Sequence, residues 1–194
     1  MTKGRLEAFS DGVLAIVITI MVLKLDPPAA LDWDSIVAVA PTFAAYVLSF
    51  SYVGVYWVNH HNLFSKVETV SGKLVLKNLH WLFWMTLIPF AMEWVGMYPF
   101  DRQPATLYSV VLLMCSANFQ VLQRHIAARH RKGGSTTGRA NNLRGWVAVG
   151  ASVVAIALAL FVPVASYLVF FLISLLWLIP GARVERFYDK VLGA

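Results

Sequence analysis

A single cysteine in 194 residues, Cys115, excludes a disulfide-stapled secreted domain and a thiolate zinc site, since both need several thiols. Its expected role is that of a small buried residue. Charge is scarce too, at 13% of residues against about 25% in ordinary globular chains. The chain has no Gly-rich phosphate loop, no Ser-centred nucleophile elbow and no His-Glu-x-x-His helix, so no enzymatic motif is present. It also lacks an internal repeat and the paired short spans of secondary transporters. What is abundant is apolar surface. Hydrophobic residues make up 59% of the sequence, with seven Trp, seven Tyr and twelve Phe, and the mean hydropathy is +0.67. One core of this size cannot hide so much, which makes lipid the natural solvent.

A helix needs about 20 mostly apolar residues to cross the ~30 Å hydrocarbon layer. Six stretches qualify, roughly Phe9 to Leu25, Ser35 to Val58, Leu76 to Val95, Pro104 to Ile126, Leu143 to Val162 and Ala165 to Ile179. The reading is an all-α integral membrane protein with six transmembrane helices in a single domain spanning residues 1–194. Breaks fall at Asp26-Pro27-Pro28, Tyr98-Pro99, Gly133-Gly134-Ser135, Pro163 and Pro180-Gly181. Only Val162-Pro163-Val164 separates the last two spans, which predicts a tight helical hairpin.

This threading puts all Lys and Arg except Lys24 and Arg102 on one side, including Lys3, Arg5, Lys77, Arg124 and the loop Arg129-His130-Arg131-Lys132. The positive-inside rule then places both termini in the cytoplasm and reads the basic loop as a topology determinant. Asp26, Asp32, Asp34, Glu93 and Asp101 fall on the opposite side. The net charge of +6 thus follows from topology and needs no nucleic-acid partner. Lys3 and Arg5 before an apolar run imitate a signal peptide, but Glu7 and Asp11 do not belong in one, so the first span is expected to remain in the mature protein.

Ionisable groups within a span cost roughly 2.5–3.5 kcal/mol each on insertion scales, which makes each a candidate functional group. Arg5, Glu7 and Asp11 open the first helix, Asn59, His60, His61 and Asn62 close the second, and Lys77, Asn78 and His80 open the third. All lie at one membrane depth. The simplest account is a hydrogen-bonded network in which Asp11 accepts from Arg5, His61 or Asn78. Asp11 falls roughly 140° from Ile16 around a helix, which favours a clamping role over ion coordination. His60 and His61 point about 100° apart and are poorly placed to grip one ion together. Trp33, Trp57, Trp94 and Tyr98 sit near helix ends, as interfacial anchors do.

Ile16, Ile20 and Leu23 recur at i, i+4 and i+7 with Thr19 beside them, forming an apolar line along the first helix. In most membrane helices such a line packs against a neighbour or lipid. Here it follows Arg5-Leu6-Glu7-Ala8-Phe9-Ser10-Asp11, which resembles the Arg-x-x-x-Phe-Ser-Asp signature of the transmembrane protein 175 family of endolysosomal potassium channels and their prokaryotic homologues. Tyr56-Trp57-Val58-Asn59-His60-His61 and the segment from Asn78-Leu79-His80 to Pro89-Phe90 resemble that family's second and third helices. The resemblance covers roughly residues 5 to 90. One signature in six spans is similar to the single-repeat prokaryotic members.

The resemblance implies a homotetramer in a bacterial plasma membrane, with four first helices around a central potassium pathway and no cofactor. It implies a constriction at Ile16, with Thr19 and Leu23 also facing the pore; Ile20 joins them by helical spacing. Arg5, Phe9, Ser10 and Asp11, with His61 and Asn78 from the neighbouring helices, are expected to hold the pore helix. No Thr-Val-Gly-Tyr-Gly filter is present, so an isoleucine ring is expected to gate by dewetting and to select potassium over sodium only modestly. Acidic residues at the outer mouth, Asp26 in particular, are expected to concentrate cations there. Three other readings stay open: a proton channel using His61, a haem-binding electron carrier using His61 or His80, and a secondary transporter.

Overall fold

Short polar side chains set several helix starts. In a computed structural model, which describes residues 1–129 and 136–178, Thr2 accepts the Arg5 N–H at 3.4 Å, Asp32 accepts that of Ser35 at 2.7 Å, and Ser71 that of Leu74 at 3.3 Å. Each satisfies one of the orphan donors at a helix N-terminus. The Ser35 hydrogen bonds also hold the Asp32 carboxyl below the usual carboxylate range. The helices are α1 (Lys3–Val22), α2 (Trp33–Ala38), α3 (Ala40–Phe64), α4 (Gly72–Thr86), α5 (Ile88–Met97), α6 (Arg102–Arg129), α7 (Thr136–Ala159) and α8 (Pro163–Leu178). Of residues 129, 136–142 and 178 only the backbone is described. The basic residues His130, Arg131 and Lys132, the Gly133-Gly134-Ser135 break, Pro180-Gly181 and the basic tail beyond lie outside the described residues.

These eight helices form six rods, because α2 leads into α3 through Val39 and α4 into α5 through Leu87. The third expected span is therefore two helices. Pro89 supplies no backbone N–H and restricts the residue before it, so the hydrogen-bond ladder restarts rather than running through. The first helix starts at Lys3 rather than Phe9, since the Thr2 cap, not the onset of apolar residues, sets its beginning. Trp33–Phe64, Gly72–Met97 and Arg102–Ala128 are long and apolar enough to cross a membrane, while Leu143–Ala159 and Pro163–Trp177 are shorter apolar stretches. α1 has 20 residues but carries Lys3, Arg5, Glu7 and Asp11. The α7 and α8 helices pack against each other across the short turn at 160–162, as a tight hairpin does.

The main core joins α1, α3, α4, α5, α6, α7 and α8 around Tyr52, Tyr56, Trp81, Tyr108, Phe119 and Phe170. Its hydroxyls are paired in place: Tyr52 donates to the Leu112 carbonyl at 3.0 Å and Tyr56 to Ser116 at 3.1 Å, while Ser49 and Tyr108 lie 2.9 Å apart. A smaller cluster of Leu6, Phe64, Val67, Leu74, Leu122 and Ile126 closes the end where α1 and α4 begin. Cys115 is fully buried, as expected.

α3 and α5 approach closely at Gly96. A Cβ there would stand 2.8 Å from the Thr42 hydroxyl oxygen and 3.0 Å from the Thr42 Cα, so a side-chain rotation alone does not relieve it. Gly96→Ala is expected to force the helices apart and destabilise the fold by about 1–3 kcal/mol. Thermal unfolding in detergent checks this, and an unchanged Tm would mean the approach is softer than the geometry indicates.

Candidate pore helix and its anchors

The two faces of α1 differ. Leu6, Ser10, Leu14, Val17 and Met21 recur at steps of three and four and are buried against α3, α4 and α5. On the other side Phe9, Ile16, Ile20 and Leu23 are 49%, 59%, 40% and 78% exposed, and Arg5 and Thr19 are exposed beside them. Thr19 donates its hydroxyl hydrogen to the Ile16 carbonyl at 2.9 Å. Its oxygen lone pairs are left facing outward, since a hydroxyl has one hydrogen to give and two sites to accept with.

The buried face carries a polar relay. Asn78 donates from Nδ2 to Ser10 Oγ at 2.8 Å, and Ser10 donates in turn to the Leu6 carbonyl at 2.8 Å. Asn78 Oδ1 lies 2.9 Å from His60 Nε2, and because an amide oxygen only accepts, His60 carries a proton on Nε2. The His60 ring is stacked between Phe64, at a centroid distance of 4.2 Å, and Trp81, at 5.1 Å and 10° from parallel. All three polar residues are buried, so three helices are tied by groups that have no water to fall back on.

Asp11 has a different partner from those expected. It accepts from Trp57 Nε1 at 3.0 Å, and within the chain makes no hydrogen bond to Arg5, His61 or Asn78. The Trp57 indole therefore joins α3 to α1 from within the helix, which runs on to Phe64, rather than from the helix end expected of it. His61 is exposed and takes no part in the relay; His60 occupies that place, because Tyr52, Tyr56, His60 and Phe64 recur every fourth residue and share the buried face of α3. That spacing was the signal for choosing His60 over His61. Nothing in the sequence pointed to the ion pair at the other end of α1, where Lys24 Nζ lies 3.0 Å from Glu93 Oε2 on α5. Among the described residues no three His, Cys, Asp or Glu are grouped to hold a metal ion. His80 Nε2 accepts from Trp84 at 3.4 Å.

Comparison with known proteins identifies the family. Residues 5–89 match the family model described as endosomal/lysosomal potassium channel TMEM175. A protein named as a potassium channel in Chryseobacterium sp. (strain P1-3) is 42% identical over 188 residues, which cover 96% of this chain and 97% of the relative. The human endosomal/lysosomal proton channel TMEM175 is 34% identical over 131 residues, 61% of this chain but 26% of the human one. The crystal structure of a lysosomal potassium-selective channel TMEM175 homolog from Chamaesiphon minutus superimposes with a TM-score of 0.80 at 28% identity, covering 92% of this chain and 97% of that one. The apolar helices, the shared architecture and the sequence match make this an integral membrane protein whose relatives are ion channels and not enzymes. The chain belongs to the TMEM175 family.

Proposed function

We propose that this chain forms a potassium-permeable cation channel, modestly selective for potassium over sodium, in which four copies place their α1 helices around a central pore. The observation that carries the reading is the uncovered line on α1: Ile16, Ile20 and Leu23 stay exposed while the opposite face is tied to three helices. Arg5 and Asp11 are also exposed on α1, and a helix beside a water-filled path tolerates them. Relatives named as potassium channels support the choice of ion. Both termini lie in the cytoplasm of a bacterial plasma membrane, in contact with lipid on the outer faces of the rods.

A ring of Ile16 side chains narrows the path and gates it by dewetting, and an ion passes by shedding part of its hydration shell. Potassium sheds water more readily than sodium, which gives a modest preference. Ile20 and Leu23 extend the apolar line. Thr19 offers its oxygen as a partial substitute for lost water, with its hydrogen already engaged by the Ile16 carbonyl. Thr19→Val keeps the shape and removes that oxygen, so potassium conductance is expected to fall a few-fold; equal unitary conductance in the two proteins would remove Thr19 from the path. Arg5, Phe9, Ser10, Asp11 and Asn78, with His60 in the place first given to His61, hold the pore helix in position.

Potassium-loaded proteoliposomes reporting proton uptake test the reading. Uptake that requires a protonophore and is larger with potassium than with sodium inside is the expected result. Uptake without protonophore would favour proton conduction, a second reading supported by the name of the human relative.

A further inference from the structure

The outer end of the proposed pore helix carries a charge of the wrong sign. Lys24 lies just past the end of α1, one residue beyond Leu23, so four copies around a pore axis would set four ammonium groups at the mouth of a cation pathway. Each raises the local potential and lowers the local cation concentration. In this chain the ammonium is turned onto the Glu93 carboxylate of α5 at 3.0 Å. The two side chains remain 40% and 33% exposed, so the pair contributes little to stability and its charge effect is what matters.

The geometry fixes where this pair sits. Ser10 on α1 and Lys24 just past its end are fourteen positions apart, Asn78 and Glu93 are fifteen apart on α4 and α5, and Ser10 faces Asn78 as Lys24 faces Glu93. At 1.5 Å per residue both intervals are about 21–22 Å, so the two rods run parallel and are joined by polar contacts at both ends. One end contact is a buried relay, the other an exposed charge pair on α5, beyond the break at Leu87.

We infer that Glu93 is a conductance-determining residue of the channel: it neutralises Lys24 and draws it away from the pore axis, keeping the outer mouth open to cations. This rests on α1 lining the pore. Freed of its partner, Lys24 repels potassium most strongly where salt screens least, since the Debye length is ~30 Å at 0.01 M and ~3 Å at 1 M.

The test is single-channel recording in planar bilayers of full-length parent, Glu93→Gln and Lys24→Gln/Glu93→Gln proteins that elute from size exclusion alike. In about 10 mM KCl the Glu93→Gln conductance is expected to fall at least about threefold, and in about 1 M KCl to return to within about 1.5-fold of the parent. The double variant is expected to recover at low salt, because the stranded cation is gone. Parental conductance of Glu93→Gln at low salt overturns the inference, as does a loss that is equal at both salts and persists in the double variant. If Glu93→Gln does not assemble, the exchange Lys24→Glu/Glu93→Lys takes its place: parental conductance in about 10 mM KCl supports the pair, and a threefold loss overturns it. Ile16→Asn is recorded alongside. A change there with none at Glu93 removes this inference alone, whereas parental behaviour of both removes α1 from the pore.

Discussion

In planar bilayers the Ile16→Asn variant is expected to pass several-fold more current than the parent, with its preference for potassium over sodium falling towards unity. Ile16 is 59% exposed on the free face of α1, so the substitution leaves the packing of one chain untouched. In the proposed channel, what changes is the wall of the path. An isoleucine ring excludes water and makes the ion give up part of its shell, while four amides keep water in place and offer oxygens of their own. Lowering the barrier by ~1.4 kcal/mol raises the rate of passage about tenfold, so even partial wetting is easily read in current. Preference falls for the same reason, since an ion that keeps its water is not asked to reveal how tightly it holds it. Reversal potentials under opposed potassium and sodium gradients measure this directly, and unchanged potentials and currents would take Ile16 out of the constriction.

The second large effect concerns stability. Asn78→Leu keeps the bulk of the side chain but strands the His60 Nε2–H, which is buried between Phe64 and Trp81 with no water to replace the amide oxygen. A hydrogen bond between membrane helices averages only ~0.6 kcal/mol in double-mutant cycles. Leaving a buried donor unpaired costs about 1–3 kcal/mol, and that larger figure decides the outcome. The variant is expected to lose several degrees of thermal stability in detergent. His60→Phe added to Asn78→Leu is expected to restore most of it, since an apolar ring can stack where the imidazole did and no orphan remains. A double variant less stable than Asn78→Leu alone would mean that the ring's packing, not its hydrogen bond, is what α3 needs.

These two sites also mark how far the sequence could be read. Hydropathy was enough for the all-helical membrane fold, because a backbone in lipid has few other ways to satisfy its own hydrogen bonds. The apolar line of Ile16, Ile20 and Leu23 followed from its spacing, whereas its lying uncovered was implied only by the family resemblance, since such a line more often packs against a neighbour or lipid. Helix limits were less legible, since apolar content marks the hydrocarbon layer while caps such as Thr2 and Ser71 mark the helix. The division at Leu87 was signalled by Pro89 yet hidden by the apolar residues around it. His60 was legible through its register with Tyr52 and Tyr56, and was obscured only by the histidine next to it. Trp57 with Asp11 and Lys24 with Glu93 join residues 46 and 69 positions apart, and no periodicity along one helix encodes a partner on another.

The polar contacts that anchor the start of α1 bear on how the protein is made. Ser10 waits for Asn78, 68 residues downstream, which at about 5–20 residues per second is a delay of roughly 3–14 s on the ribosome. Until then the Ser10 oxygen lacks the Asn78 donor, and until Trp57 is made Asp11 lacks its indole partner. The contacts that hold α1 in place are therefore completed only when α3 and α4 have joined it, so α1 is anchored later than its position in the chain would suggest.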